Sequence, residues 1–133
     1  GVVVLEMIGY FSDEPKSQEY PSPFLRLWYP SRGNFIALVG DTEQGKLLKK
    51  LKIGMKGATP LPVRSLRAPT SVPGIDFSDH RSYWPHGISA IMVTDTAFYR
   101  NFAYHKINDV PERLDYEKMS QVVVAVFEAI AKF

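Results

Sequence analysis

Apolar residues fall along this chain in blocks whose spacing alternates between the two regular periods. Gly1 to Leu5 is apolar and β-branched without interruption, the pattern of a strand buried on both faces of a sheet, and Glu6 arrives at its C-terminal end. From Ser12 to Arg32, Pro15, Pro21, Pro23 and Pro30 interleave with Tyr20, Phe24, Trp28 and Tyr29. This pattern predicts an ordered loop whose aromatics pack it onto the body. Asn34 to Val39 reads as a second strand. Asp41 to Met55 reads as a helix, with Asp41 as N-cap, Gln44 at N3, and Leu47, Leu48, Leu51 and Met55 on one face.

Leu61 to Leu66 is a further strand candidate, and Ala68 to Gly74 a loop. Ser78 can cap a short helix through Trp84, ended by Pro85 and Gly87, before the buried strand Ile88 to Val93, which Asp95 closes. After a polar and aromatic loop from Thr96 to Arg113, Asp115 caps a last helix. Its Met119, Val122, Val123, Val126, Phe127 and Ile130 recur at helical spacing and read as core. The order β, loop, β, α, β, α, β, loop, α predicts an α/β fold, with a mostly parallel sheet of about four strands flanked by helices.

A chain of 133 residues accommodates one compact domain, and 45% hydrophobic against 23% charged residues is the balance of a folded protein. Sixteen basic and fourteen acidic residues leave a net charge of +2 with no basic block, so nucleic acid is not an expected partner. No apolar run approaches the length of a bilayer span, and no membrane partner is expected. The absence of cysteine removes disulfides, thiolate metal sites and thiol nucleophiles, so a metal site would need His, Asp or Glu. The chain opens on Gly and enters a strand-like run at once, without cap, turn or leader, as expected of a sequence cut inside a larger domain.

Four stretches, taken in order, carry a family resemblance. They are Leu5-Glu6-Met7-Ile8-Gly9-Tyr10, Gly33 to Gly40, Asp76-Phe77-Ser78-Asp79-His80-Arg81-Ser82-Tyr83-Trp84, and Ala90 to Asn101 followed by Tyr104-His105. This set resembles the bacterial zinc aminopeptidases, to which glutaminyl cyclases are related, and matches the C-terminal half of their catalytic domain. The resemblance implies a metal-ligand role for Glu6, where many relatives have Asp, and for His105. It places Asp79 and His80 beside the metal site as orienting or substrate-facing groups, and Tyr99 and Tyr104 in the substrate-pocket loop.

In the family, the first histidine ligand, the bridging aspartate, the general-base glutamate and the adjacent glutamate ligand come from a part that precedes the equivalent of Gly1. The resemblance therefore implies zinc in the complete domain and none held tightly by this chain alone, since zinc sites have three or four protein ligands. Two readings follow. One is a fragment of a hydrolase that removes N-terminal residues from peptides once its missing half is supplied; the other is a non-catalytic relative acting as a binding or interaction module. The open edge of a half-sheet also predicts self-association or a covering N-terminal half as partner.

Other features have simpler readings. His86 beside Pro85 is assigned no role, and Asp79 and His80 near a helix start could serve as capping and dipole-favoured groups. Gly40-Asp41-Thr42-Glu43-Gln44-Gly45-Lys46-Leu47 comes within one residue of a phosphate-binding loop. Leu47 stands where that motif needs Ser or Thr, and Asp41 and Glu43 would set negative charge among the phosphates.

Overall fold

The computed structural model describes residues 1–133. Four strands form one sheet: β1 (Val2–Leu5), β2 (Ile36–Gly40), β3 (Val63–Arg67) and β4 (Ala90–Thr94), in the order β1-β4-β2-β3. β1 runs parallel to β4 and β2 parallel to β3, while β2 and β4 are antiparallel. Two helices, α1 (Gly45–Met55) and α2 (Tyr116–Ile130), complete the α/β architecture. The expected sheet of about four strands is therefore present, and no helix is long and apolar enough to cross a membrane.

Alternation along the two central strands divides the core. Ile36, Leu38, Ile91 and Val93 face α1 and α2, where they meet Leu48, Leu51, Met55, Val122, Ala125, Val126 and Ala129. The intervening Phe35, Ala37, Val39 and Met92 form a smaller apolar cluster with Ile75 on the opposite face. Every residue of β2 and β4 is buried in consequence. The two helices cross where Gly54 meets Ala129, so closely that a Cβ on Gly54 would lie 2.7 Å from the Ala129 Cα.

Several expectations need correction. β1 is an edge strand, half-buried rather than enclosed on both faces, because only β4 pairs with it. α1 begins at Gly45 instead of after Asp41: the Gln44 side chain is drawn into the core, where its Oε1 accepts the Ala90 N–H at 3.1 Å. Asp41 Oδ1 instead closes a tight turn, accepting the Glu43 N–H and the Gln44 amide, so these donors of the phosphate-loop look-alike are already engaged. Residues Asp79–His86 form a 3₁₀ segment rather than an α-helix, and the Ser78 side chain makes no capping bond. Asp115 does cap α2, accepting the Lys118 N–H at 2.9 Å.

The apolar stripe of α2 is divided. Val122, Ala125, Val126 and Ala129 are buried, whereas Val123, Val124, Phe127 and Ile130 form a second stripe facing solvent, Phe127 at 68% exposure. A helix apolar on two sides is built to be covered on both. Phe24 and Trp28 of the proline-rich excursion also stand exposed, rather than packing it down as expected.

In an exposed helix a Gly→Ala change stabilises by about 1 kcal/mol. At Gly54 the sign should reverse, with Gly54→Ala destabilising by about 1–3 kcal/mol through overpacking against Ala129. A lowered urea midpoint at unchanged m-value is the expected result.

Candidate functional site

The face of the sheet opposite the helices opens into a cleft of 460 Å³. Its floor includes a cross-strand row in which Met92 pairs with Val39 and Val39 with Leu66, and Phe35 and Ala37 extend the apolar surface. One wall is the proline-rich excursion, contributing Tyr20 and Tyr29; another is the loop after β4, contributing Phe98, Tyr99 and Tyr104. Tyr20 and Tyr29 are pinned by their phenols, which donate to Pro30 O and Ser65 O, each at 2.6 Å. Burial raises both phenol pKa values, that of Tyr20 to about 12, so they remain donors at neutral pH.

Both walls are fastened to one buried polar centre. Asp95, 1% exposed at the end of β4, accepts the Gly9 and Tyr10 N–H groups on one oxygen (3.0 and 2.8 Å) and the Ala97 N–H on the other (2.9 Å). Burial nevertheless raises its pKa against the pull of these bonds and of Arg100. Met7, Thr96 and Ala97 around it have left-handed backbones, costly for residues with a Cβ. Arg100, 2% exposed, donates to Gln18 Oε1 at 2.9 Å and to Tyr10 O at 3.1 Å, and its guanidinium lies 4.8 Å from the Phe35 ring centroid. Burial lowers its pKa to about 10, which still leaves it charged at neutral pH. Gly33 is necessary here, since a Cβ would come 2.6 Å from the Arg100 side chain. Gln18 then bridges the walls, donating to Thr96 Oγ1 at 2.9 Å.

The residues singled out by the resemblance occupy different positions around this cleft. Glu6, Asp79, Tyr99 and Tyr104 line it, and Ser78 Oγ reaches Glu6 Oε2 at 3.4 Å. His80 does not line it. It is fully buried behind the wall, its Nε2 donating to Ile75 O at 2.7 Å, its ring edge-on to Trp84 and its Nδ1 without a partner. His105 is exposed at a left-handed position and stacks on Tyr104, with ring centroids 3.8 Å apart. No three His, Asp or Glu side chains come together as a metal-binding group. The residues present therefore do not by themselves fit the zinc site that the resemblance implies.

Gln18, Arg100 and Arg64 were not among the residues picked out in the sequence. Gln18 and Arg100 stand in loops and hold each other across 82 residues, while Arg64 lies on the strand read from Leu61 to Leu66 and its side chain makes no hydrogen bond or ion pair.

No family model matches the chain. It is 49% identical over 125 residues to Uncharacterized protein YfbL of Escherichia coli (strain K12), an alignment covering 94% of this chain and 39% of YfbL. Among solved structures, Legionella pneumophila LapA aminopeptidase superposes with a TM-score of 0.61 at 22% identity, covering 98% of this chain and 30% of LapA. A second LapA structure gives 0.58 at 21%, over 97% of this chain and 31% of LapA. The fold is aminopeptidase-like. The chain spans about two-fifths of the length of YfbL and under a third of that of LapA.

Burial lowers the His80 pKa from its ordinary 6.5, so the folded protein holds this ring neutral. Its contribution to stability is complete above pH 6.5 and is lost as pH falls toward the lowered folded-state pKa. The urea midpoint should therefore decline on acidification below about 6.5, and His80→Gln should flatten that part of the profile relative to the parent protein. An unchanged profile in the variant would assign the acid sensitivity elsewhere.

Proposed function

We propose that this chain is the cleft-bearing part of a peptide hydrolase that releases N-terminal residues. The observation that carries the proposal is the position of the cleft. It lies where the parallel strands β1 and β4 end, with Glu6 at its margin and an apolar, aromatic lining suited to a peptide side chain, in an aminopeptidase-like fold. On this reading Glu6 and His105 are two of the metal ligands, and zinc, which activates water in such sites, is the metal. The remaining ligands and the general base come from outside these 133 residues. The LapA structures describe an aminopeptidase, and that activity is carried to this chain by proposal alone.

The decisive experiment uses the protein expressed from its complete gene, given peptides with free or acetylated N-termini. Expected are release of N-terminal residues from the free peptides only, and loss of both zinc and at least 99% of the rate in Glu6→Ala and His105→Ala. Undiminished zinc in both variants would refute the ligand assignment. Peptide binding without any release would instead favour a non-catalytic binding module. That second reading is supported by a cleft lined by this chain's own side chains while no three-donor group is present.

The same reading gives the unpaired side of β1 and the outer stripe of α2 an occupant: the rest of a longer polypeptide or, when the 133 residues stand alone, a second copy. The isolated chain should self-associate in sizing experiments, and Phe127→Glu should weaken that association. A monomer at every concentration would contradict this part of the proposal.

A further inference from the structure

Strand register places two opposite charges at the ends of one row across the cleft floor. Glu6 follows the Leu5–Val93 pair and remains tied to β4, its N–H donating to Val93 O at 3.0 Å, so it stands beside Thr94. Thr94 pairs with Ala37, and Ala37 with Arg64. Residues in register share a face of the sheet, and all four line the cleft. Three strand spacings separate the ends, so the Glu6 and Arg64 backbones lie about 14 Å apart. Between them the row is only Thr94 and Ala37, two small residues on the cleft lining, and alongside it runs the apolar row of Met92, Val39 and Leu66.

The Arg64 side chain is exposed and takes part in none of the ion pairs, which join Lys118 to Asp13 and Asp115 and Lys132 to Glu128. It stands close enough to Tyr20 and Tyr29 for its charge to pull against the rise in their pKa values. Both phenols donate to backbone carbonyls, and the Arg64 guanidinium makes no hydrogen bond or ion pair, so its donors are free for a ligand. The other cation on the lining, Arg81, is three residues from Ser78, which hydrogen-bonds Glu6, and so belongs to the opposite end.

We propose that Arg64 anchors the C-terminal carboxylate of a short peptide lying along the Glu6–Thr94–Ala37–Arg64 row, so that the cleft selects free peptides of about three or four residues. An extended chain advances about 3.3–3.6 Å per residue, so three or four residues span about 10–14 Å and fill the row. A dipeptide falls short of both ends, and a longer chain must carry its carboxylate past Arg64. The fork of guanidinium donors suits a carboxylate, and a neutral C-terminal amide offers it only an uncharged oxygen. This inference rests on the proposed function for the orientation of the peptide, with its N-terminus at the Glu6 end.

Calorimetry on the protein from its complete gene, stripped of metal so that nothing is turned over, tests the anchor. The ligands are an apolar tetrapeptide as free acid and as C-terminal amide, with the dipeptide and octapeptide free acids for length. The free-acid tetrapeptide should bind at least tenfold more tightly than its amide and than either other length. Arg64→Gln should erase the acid-over-amide preference while leaving the amide's affinity unchanged, and Arg64→Lys should restore part of it. Equal binding of acid and amide, loss of both ligands together in Arg64→Gln, or no binding of any peptide would each overturn the proposal. Discrimination by the stripped protein with no hydrolysis after zinc is restored would uphold the anchor and reject the peptidase reading. Hydrolysis without discrimination would do the reverse.

Discussion

A carboxylate can be buried at the end of a strand only where hydrogen-bond donors converge on it, and around Asp95 the donors come from both segments that leave the sheet. Gly9 and Tyr10 follow β1, Ala97 follows β4, and their three N–H groups meet the two Asp95 oxygens. Each segment must bend sharply to reach it. The left-handed backbones of Met7, Thr96 and Ala97 are those bends, conformations that a Cβ makes costly and that the carboxylate offsets. The two segments stay joined past the strand ends, the Asp95 N–H donating to Met7 O at 2.7 Å, and the loops they lead into stand as walls of the cleft on the sheet face. Arg100 completes the centre by carrying the proline-rich excursion through Gln18 and by filling the space against Phe35 that Gly33 leaves free.

This arrangement separates the two faces of the sheet by purpose. The helical face is a close-packed apolar core with a glycine at its tightest crossing, where substitutions act on stability. The cleft face holds a smaller apolar cluster and spends its polar groups on fastening loops, leaving Glu6 and Arg64 at opposite margins. The fold is aminopeptidase-like, and the peptide-holding role proposed for the cleft draws on these two margins. No three metal-donor side chains come together within this chain.

Much of the fold was legible because its signals are local. Short apolar runs marked β2 and β4, Asp115 announced α2 through a bond three residues away, and the β-branched run marked β1. Errors arose where a distant partner decided the outcome. The start of α1 moved because Gln44 bonds Ala90 across the sheet, and half the α2 stripe stayed outside because periodicity reveals that a face is apolar without revealing what covers it. The site shows the same division. Glu6, Asp79, Tyr99 and Tyr104 came from short matched stretches and line the cleft, whereas His80 lies behind its wall and His105 is exposed, stacked on Tyr104. Gln18 and Arg100 are 82 residues apart, and only the folded chain shows that they hold each other.

The measurement closest to the centre of this account is hydrogen exchange, followed residue by residue, on the parent protein and on Asp95→Ala. Removal of the carboxylate should release protection at Gly9, Tyr10 and Ala97 and then along both cleft walls, while the amides of β2 and those of α2 facing α1 keep their parental rates. Uniform loss across the whole chain, or walls as protected as before, would contradict the claim that one buried carboxylate holds the cleft open.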